Sequence, residues 1–62
     1  MNKKFYDIHI RKHGKNRFAI VFYTGDTMDG RYTYNDMINL ELGKAFLAGR
    51  GYEQRSTITE GA

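Results

Sequence analysis

The chain contains no cysteine and no proline. Without cysteine there are no disulfide cross-links, no thiolate–zinc site and no cysteine nucleophile, and the composition fits a reducing compartment such as the cytoplasm. Without proline, and with no low-complexity tract or internal repeat, nothing marks a linker or a boundary between domains. No apolar run approaches the roughly 18 residues that a spanning helix needs. The start, Met1-Asn2-Lys3-Lys4-Phe5-Tyr6, passes directly into polar alternation, so neither a membrane span nor a secretory signal is expected. What is present is 62 residues, which predicts a single domain over 1–62. Chains this short bury only about 60% of the surface their unfolded form exposes and keep roughly 3–5 kcal/mol of net stability. The 40% hydrophobic and 27% charged content is that of a folded globule rather than a disordered tail.

The formal net charge of +3 is unevenly distributed. Residues 1–17 carry Lys3, Lys4, Arg11, Lys12, Lys15 and Arg17 against Asp7 alone, whereas residues 18–62 carry four cations against six acids. A basic front segment of this kind attracts phosphate backbones or acidic protein patches and speeds encounter with them.

Residues 4–12 alternate, with Tyr6, Ile8 and Ile10 on one side and Phe5, Asp7, His9 and Arg11 on the other, the period of a half-buried strand. His13-Gly14-Lys15-Asn16 supplies turn chemistry. Residues 17–24 are apolar on both faces, so 4–24 reads as an antiparallel hairpin. Gly25 and Gly30 bracket a stretch that reads as a loop over 25–34, although Arg31-Tyr32-Thr33-Tyr34 is also compatible with a short extra strand. A helix is predicted over 35–49, with Thr33 or Asn35 as its cap and glycines at 49 and 51 to stop it. A last strand follows over 52–59. The fold class is therefore α+β in the order β-β-α-β: a three-stranded, mostly antiparallel sheet with one helix packed on one face. Tyr6, Ile8, Ile10, Phe18, Ile20 and Phe22 supply the sheet's half of the expected core, and Ile38, Leu42, Ala45, Phe46 and Gly49 the helix's half.

A single core of that design leaves residues over. Leu40 and Leu47 fall opposite Ile38 and Leu42, with Gly43 between them, and so form an expected self-association surface for a homodimer. The sheet's second face carries Phe5, His9, Arg11, Arg17, Ala19, Val21 and Tyr23 with no helix to cover it. Tyr and Arg are favoured at protein contacts, and rings interleaved with cations also suit nucleic acid.

Sites of chemistry are sparse. His9 and His13 lie on a strand and its turn, with no third ligand beside them, so no metal site is expected. Asp26 and Asp29 lack the alternating oxygens and terminal glutamate of a calcium loop, and Gly25 and Gly30 are not followed by the Gly-Lys-Ser/Thr of a phosphate loop. No base is placed to activate Ser56 or the threonines. No enzyme activity and no cofactor are expected.

Lys3-Lys4-Phe5 opens the first strand, and Gly51-Tyr52-Glu53 opens the last, with Arg55 shortly after. With these matches, the layout of basic start, hairpin, helix and closing strand resembles small bacteriophage-encoded host-takeover proteins, especially the short phage inhibitors of bacterial RNA polymerase. Residues 25–34 are longer than the corresponding stretch of that family, and Leu40 and Leu47 have no counterpart in it. The resemblance implies an inhibitor that binds a bacterial machine in the host cytoplasm, and it makes Arg55 a contact residue. The expected partner-binding set is thus Arg11, Arg17, Tyr23 and Arg55, with a bacterial protein as partner. A nucleic-acid-binding module using the hairpin and open sheet face is the alternative.

Overall fold

A computed structural model describes residues 2–12 and 17–60. The expected reversal at 13–16, His13 included, lies outside the described residues. The elements are β1 (Lys4–Arg11), β2 (Arg17–Thr24), β3 (Thr27–Tyr34), α1 (Met37–Gly49) and β4 (Glu53–Glu60). They form a four-stranded mixed sheet in the order β3-β2-β1-β4, with one helix on one face. The α+β class is as expected, but the sheet has four strands rather than three.

The added strand is β3, which occupies the stretch read as a loop. Thr24 pairs with Thr27, so only Gly25 and Asp26 turn the chain, and Gly25 takes a φ of 60°. A positive φ at the first of two loop residues is a glycine requirement of tight hairpin turns. Asp29 is the extra residue of a bulge, because Phe22 pairs with Gly30 while Tyr23 pairs with Met28. Gly30 has its own reason: a methyl group there would lie 2.6 Å from Phe22 Cζ, so the ring crosses β3 only over a bare backbone. The Asp and Gly that looked like loop chemistry are thus a bulge and a ring seat.

β4 returns parallel to β1, which requires a crossover connection, and α1 supplies it. Asp36 caps the helix with an extended backbone, and its carboxylate Oδ1 accepts the Asn39 N–H at 2.8 Å. It ends with Gly51 at φ 92°, the Gly51 N–H donating to the Ala48 carbonyl and the Tyr52 N–H to the Leu47 carbonyl. That pair of bonds is a Schellman closure, and Tyr52 packs against the cluster containing Leu47, the apolar contact that accompanies such closures.

The core consists of Tyr6, Ile8, Phe18 and Ile20 from the sheet and Leu40 and Leu47 from the helix, with Ile10, Phe22, Tyr34 and Tyr52 packed against it. The helix is therefore rolled about half a turn from the expected orientation. Leu40, Gly43 and Leu47 are buried inside the protomer and are not a self-association surface. Ile38, Leu42 and Phe46, expected in the core, are 76%, 63% and 50% exposed. Ring size explains the reversal. The sheet already fills this side with tyrosine and phenylalanine, and Gly43 lies directly over the Tyr34 ring, where even a Cβ would collide with the phenol. A notch between two leucines fits such a surface, whereas a stripe of Ile, Leu and Phe would hold the helix away from it.

Two glycines of one helix should therefore respond oppositely to a methyl group. Gly43→Ala is expected to cost about 1–3 kcal/mol through overpacking against Tyr34. Gly49→Ala, where a Cβ meets nothing within 4 Å, should be neutral or stabilising by up to ~1 kcal/mol through helix propensity. Urea unfolding of both variants checks the pair.

Candidate functional site

Strand register places side chains in cross-sheet rows on the face opposite the helix. Phe5 faces Tyr23; Asp7 faces Val21, which faces Arg31; His9 faces Ala19, which faces Thr33; and Arg11 faces Arg17. β4 adds Ser56 beside Asp7, Ile58 beside His9 and Glu60 beside Arg11. Among the described elements, none covers this face.

Its first half is a rigid clamp. Asp7 lies in the interior strand β1 and is 4% exposed. A buried carboxylate is costly unless its charge and lone pairs are met. Arg55 meets them bidentately, donating from Nε to Oδ1 at 3.0 Å and from Nη2 to Oδ2 at 2.5 Å, and Ser56 Oγ donates to Oδ1 at 2.9 Å. The bulge in β4 makes this possible. Tyr6 pairs with Gln54 and Asp7 with Ser56, so Arg55 is the unpaired residue between them. Its guanidinium also lies 3.8 Å from the centroid of Phe5 and 5.5 Å from that of Tyr23, and those two rings stack with centroids 5.0 Å apart. Arg55 and Tyr23, both in the expected partner-binding set, are thus brought together, and Arg55 has an intramolecular duty. The hydrogen bonds from Arg55 outweigh the effect of burial and hold the Asp7 carboxyl below its ordinary value near 3.8. With three donors on it, Asp7 has little capacity left to act as a base.

The second half is open and cationic. Small side chains, Ala19 and Val21, make a floor, and His9, Arg11, Arg17, Arg31, Thr33 and Glu60 stand around it to enclose a concavity of about 460 Å³. Arg11 and Arg17 face each other directly, an arrangement that is unfavourable for like charges unless an anion lies nearby. Glu60 is the nearest acid, and it is divided between Arg11, at 4.0 Å from Nε, and His9, at 3.8 Å from Nδ1. Side-chain exposures of 62% for Arg11 and 53% for Glu60 leave that pair well solvated, so it neutralises little. Arg31 was not among the expected site residues, because the segment holding it read as a loop. The alternation of Arg31 and Thr33 with Tyr32 and Tyr34 was the available signal. Among the described residues, no three His, Asp or Glu side chains are grouped to hold a metal ion.

Because the folded-state pKa of Asp7 is lowered, its contribution to stability is complete above the ordinary carboxylate range and is lost as pH falls through the lower folded value. Unfolding free energy should therefore be flat at neutral pH and fall below about pH 4. In Arg55→Ala the carboxylate stays buried without its main partner. That variant should be less stable than Arg11→Ala at pH 7, and its acid-side drop should shrink. Urea midpoints collected across pH test both statements.

Comparison with protein-family models, curated proteins and solved structures found no match to this chain.

Proposed function

We propose that this chain is a non-enzymatic binding protein that docks its uncovered sheet face on an acidic surface of a bacterial macromolecular machine, such as a polymerase or defence complex, and blocks it by occupancy. The carrying observation is the concavity bordered by Arg11, Arg17, Arg31 and His9, with Glu60 as the single acid among the described residues that line it. Cations held close together without matching carboxylates favour a partner that brings the missing negative charge. Arginine is also the side chain most suited to bidentate recognition of carboxylates. The resemblance to phage inhibitors supports the style of action, since blocking requires only affinity and placement. An interface of about 800 Å² per partner is within the reach of a domain this size.

The same cations favour nucleic acid as a second reading. Base stacking would have to use the rings on this face, but Phe5 and Tyr23 stack on one another and Arg55 covers Phe5. Phosphate contacts remain available; a free stacking platform does not. The acidic protein surface is therefore the better fit.

The double variant Arg17→Glu/Arg31→Glu reverses charge at exposed positions and spares the Asp7–Arg55 clamp. Wild type, used as bait in nuclease-treated bacterial lysate, should retain a discrete protein that the variant binds about 10- to 100-fold more weakly, with both proteins giving the same circular dichroism and melting curve. Equal capture by both proteins would count against the sheet face. Capture that disappears with nuclease and falls steeply with salt would replace the protein partner with nucleic acid.

A further inference from the structure

Apart from the sheet face, the largest unexplained feature is the outer side of α1. Met37, Ile38 and Leu42 are each more than half exposed on one short helix, and Phe46 beside them is half exposed, with the Tyr32 ring and the Arg50 guanidinium against it. Isolated exposed apolar residues are ordinary, but a contiguous stripe on a helix whose other side is already in the core is not. A helix that is apolar on both sides belongs to a structure that covers both.

The seam at the centre of this stripe is Ile38, Leu42, Ala45 and Gly49, spaced four, three and four apart, which is the repeat of a helix that packs along another helix. The two bulky members lie at the N-terminal end and the two small members at the C-terminal end, all of them exposed. From this order we infer that the stripe is covered by a second copy of the chain, with the two α1 helices antiparallel about a two-fold axis between Gly43 and Lys44. In that register Ile38 lies against Gly49 of the copy and Leu42 against Ala45 of the copy, and both contacts recur on the other side of the axis. Every large side chain meets a small one. Parallel pairing would set Ile38 against Ile38 and Gly49 against Gly49, crowding one end and leaving a gap at the other.

Charge favours the same arrangement. Glu41 and Lys44 lie on one flank of the seam and pair with each other at 3.4 Å within the protomer. The two-fold axis brings Glu41 of each protomer beside Lys44 of the other, converting two isolated surface pairs into a four-charge network. It also sets the positive pole of each helix beside the negative pole of its mate. Parallel pairing would instead align like poles. Gly49 gives the strongest hint of a close neighbour. It has no positive φ, and a Cβ on it meets nothing within 4 Å, so the protomer itself has no need of glycine there. A thirteen-residue helix is about 20 Å long, so the contact is at the small end of specific interfaces and the dimer is reversible.

Sedimentation velocity over increasing concentration tests this in three chains. Wild type should pass from monomer to dimer. Leu42→Asp, an exposed substitution, should keep the wild-type circular dichroism and remain monomeric. Gly49→Leu should fold at least as well as wild type, since nothing in the protomer opposes the side chain, yet dimerise at least ~10-fold more weakly because the small member of the seam is gone. The absence of native cysteine makes the register directly readable. Oxidising a mixture of Leu42→Cys and Ala45→Cys proteins should give mainly the mixed disulfide. A wild type that remains monomeric at the highest attainable concentration, a Gly49→Leu dimer as tight as wild type, or a predominance of the Leu42→Cys homodisulfide would each overturn the proposal.

Discussion

One helix of thirteen residues has to serve a sheet of four strands, and it can lie on only one side of it. That constraint organises the molecule. The covered side gathers the rings and aliphatic side chains into a core, while the uncovered side has to shield its own two interior strands. It does so with long polar side chains rather than with another layer: Arg55 extends over Phe5 and Tyr23, and arginines stand around Ala19 and Val21. A face built in this way is both necessary for the fold and presented to whatever approaches.

The Asp7–Arg55 pair connects these two roles. Asp7 sits in the middle of the sheet, so its charge has to be matched from a neighbouring strand, and the bulge in β4 frees Arg55 from ladder pairing to match it. The pair is a cross-strand lock between the first strand and the last, its members 48 positions apart in the chain. At the other end of the same face no comparable neutralisation exists among the described residues. The division is physical: one end of the face is satisfied internally, and the other holds more cations than acids among the described residues. If two protomers join through their helices, the two open sheet faces point away from each other.

Much of this was legible in the sequence. Alternation in residues 4–12 and the two-faced apolar run at 17–24 pointed to the central hairpin, and the helix and last strand fall within two residues of their expected limits. Arg11 and Arg17 on the open face follow directly from that alternation. β3 was obscured because Asp29 and Gly30 carry loop chemistry, yet they serve a bulge and a ring contact that depend on Phe22, a residue of another strand. The helix roll was obscured for a related reason. Both stripes of α1 are apolar, and periodicity ranks them by bulk, whereas the choice was made by Tyr34, whose ring needs the space that only Gly43 provides. Local pattern specifies elements well. It cannot specify which of two greasy faces fits a partner surface that forms only when the chain folds.

The roll of the helix is the point on which the account turns, because it decides which side chains form the core and which are left to meet other molecules. Side-chain nuclear Overhauser contacts measure it directly. The account predicts contacts from Leu40 and Leu47 to the core cluster containing Ile20 and Tyr34, with none from Leu42 to that cluster. Contacts from Leu42 and Ile38 to Ile8 and Ile20, with Leu40 and Leu47 facing solvent, would contradict it.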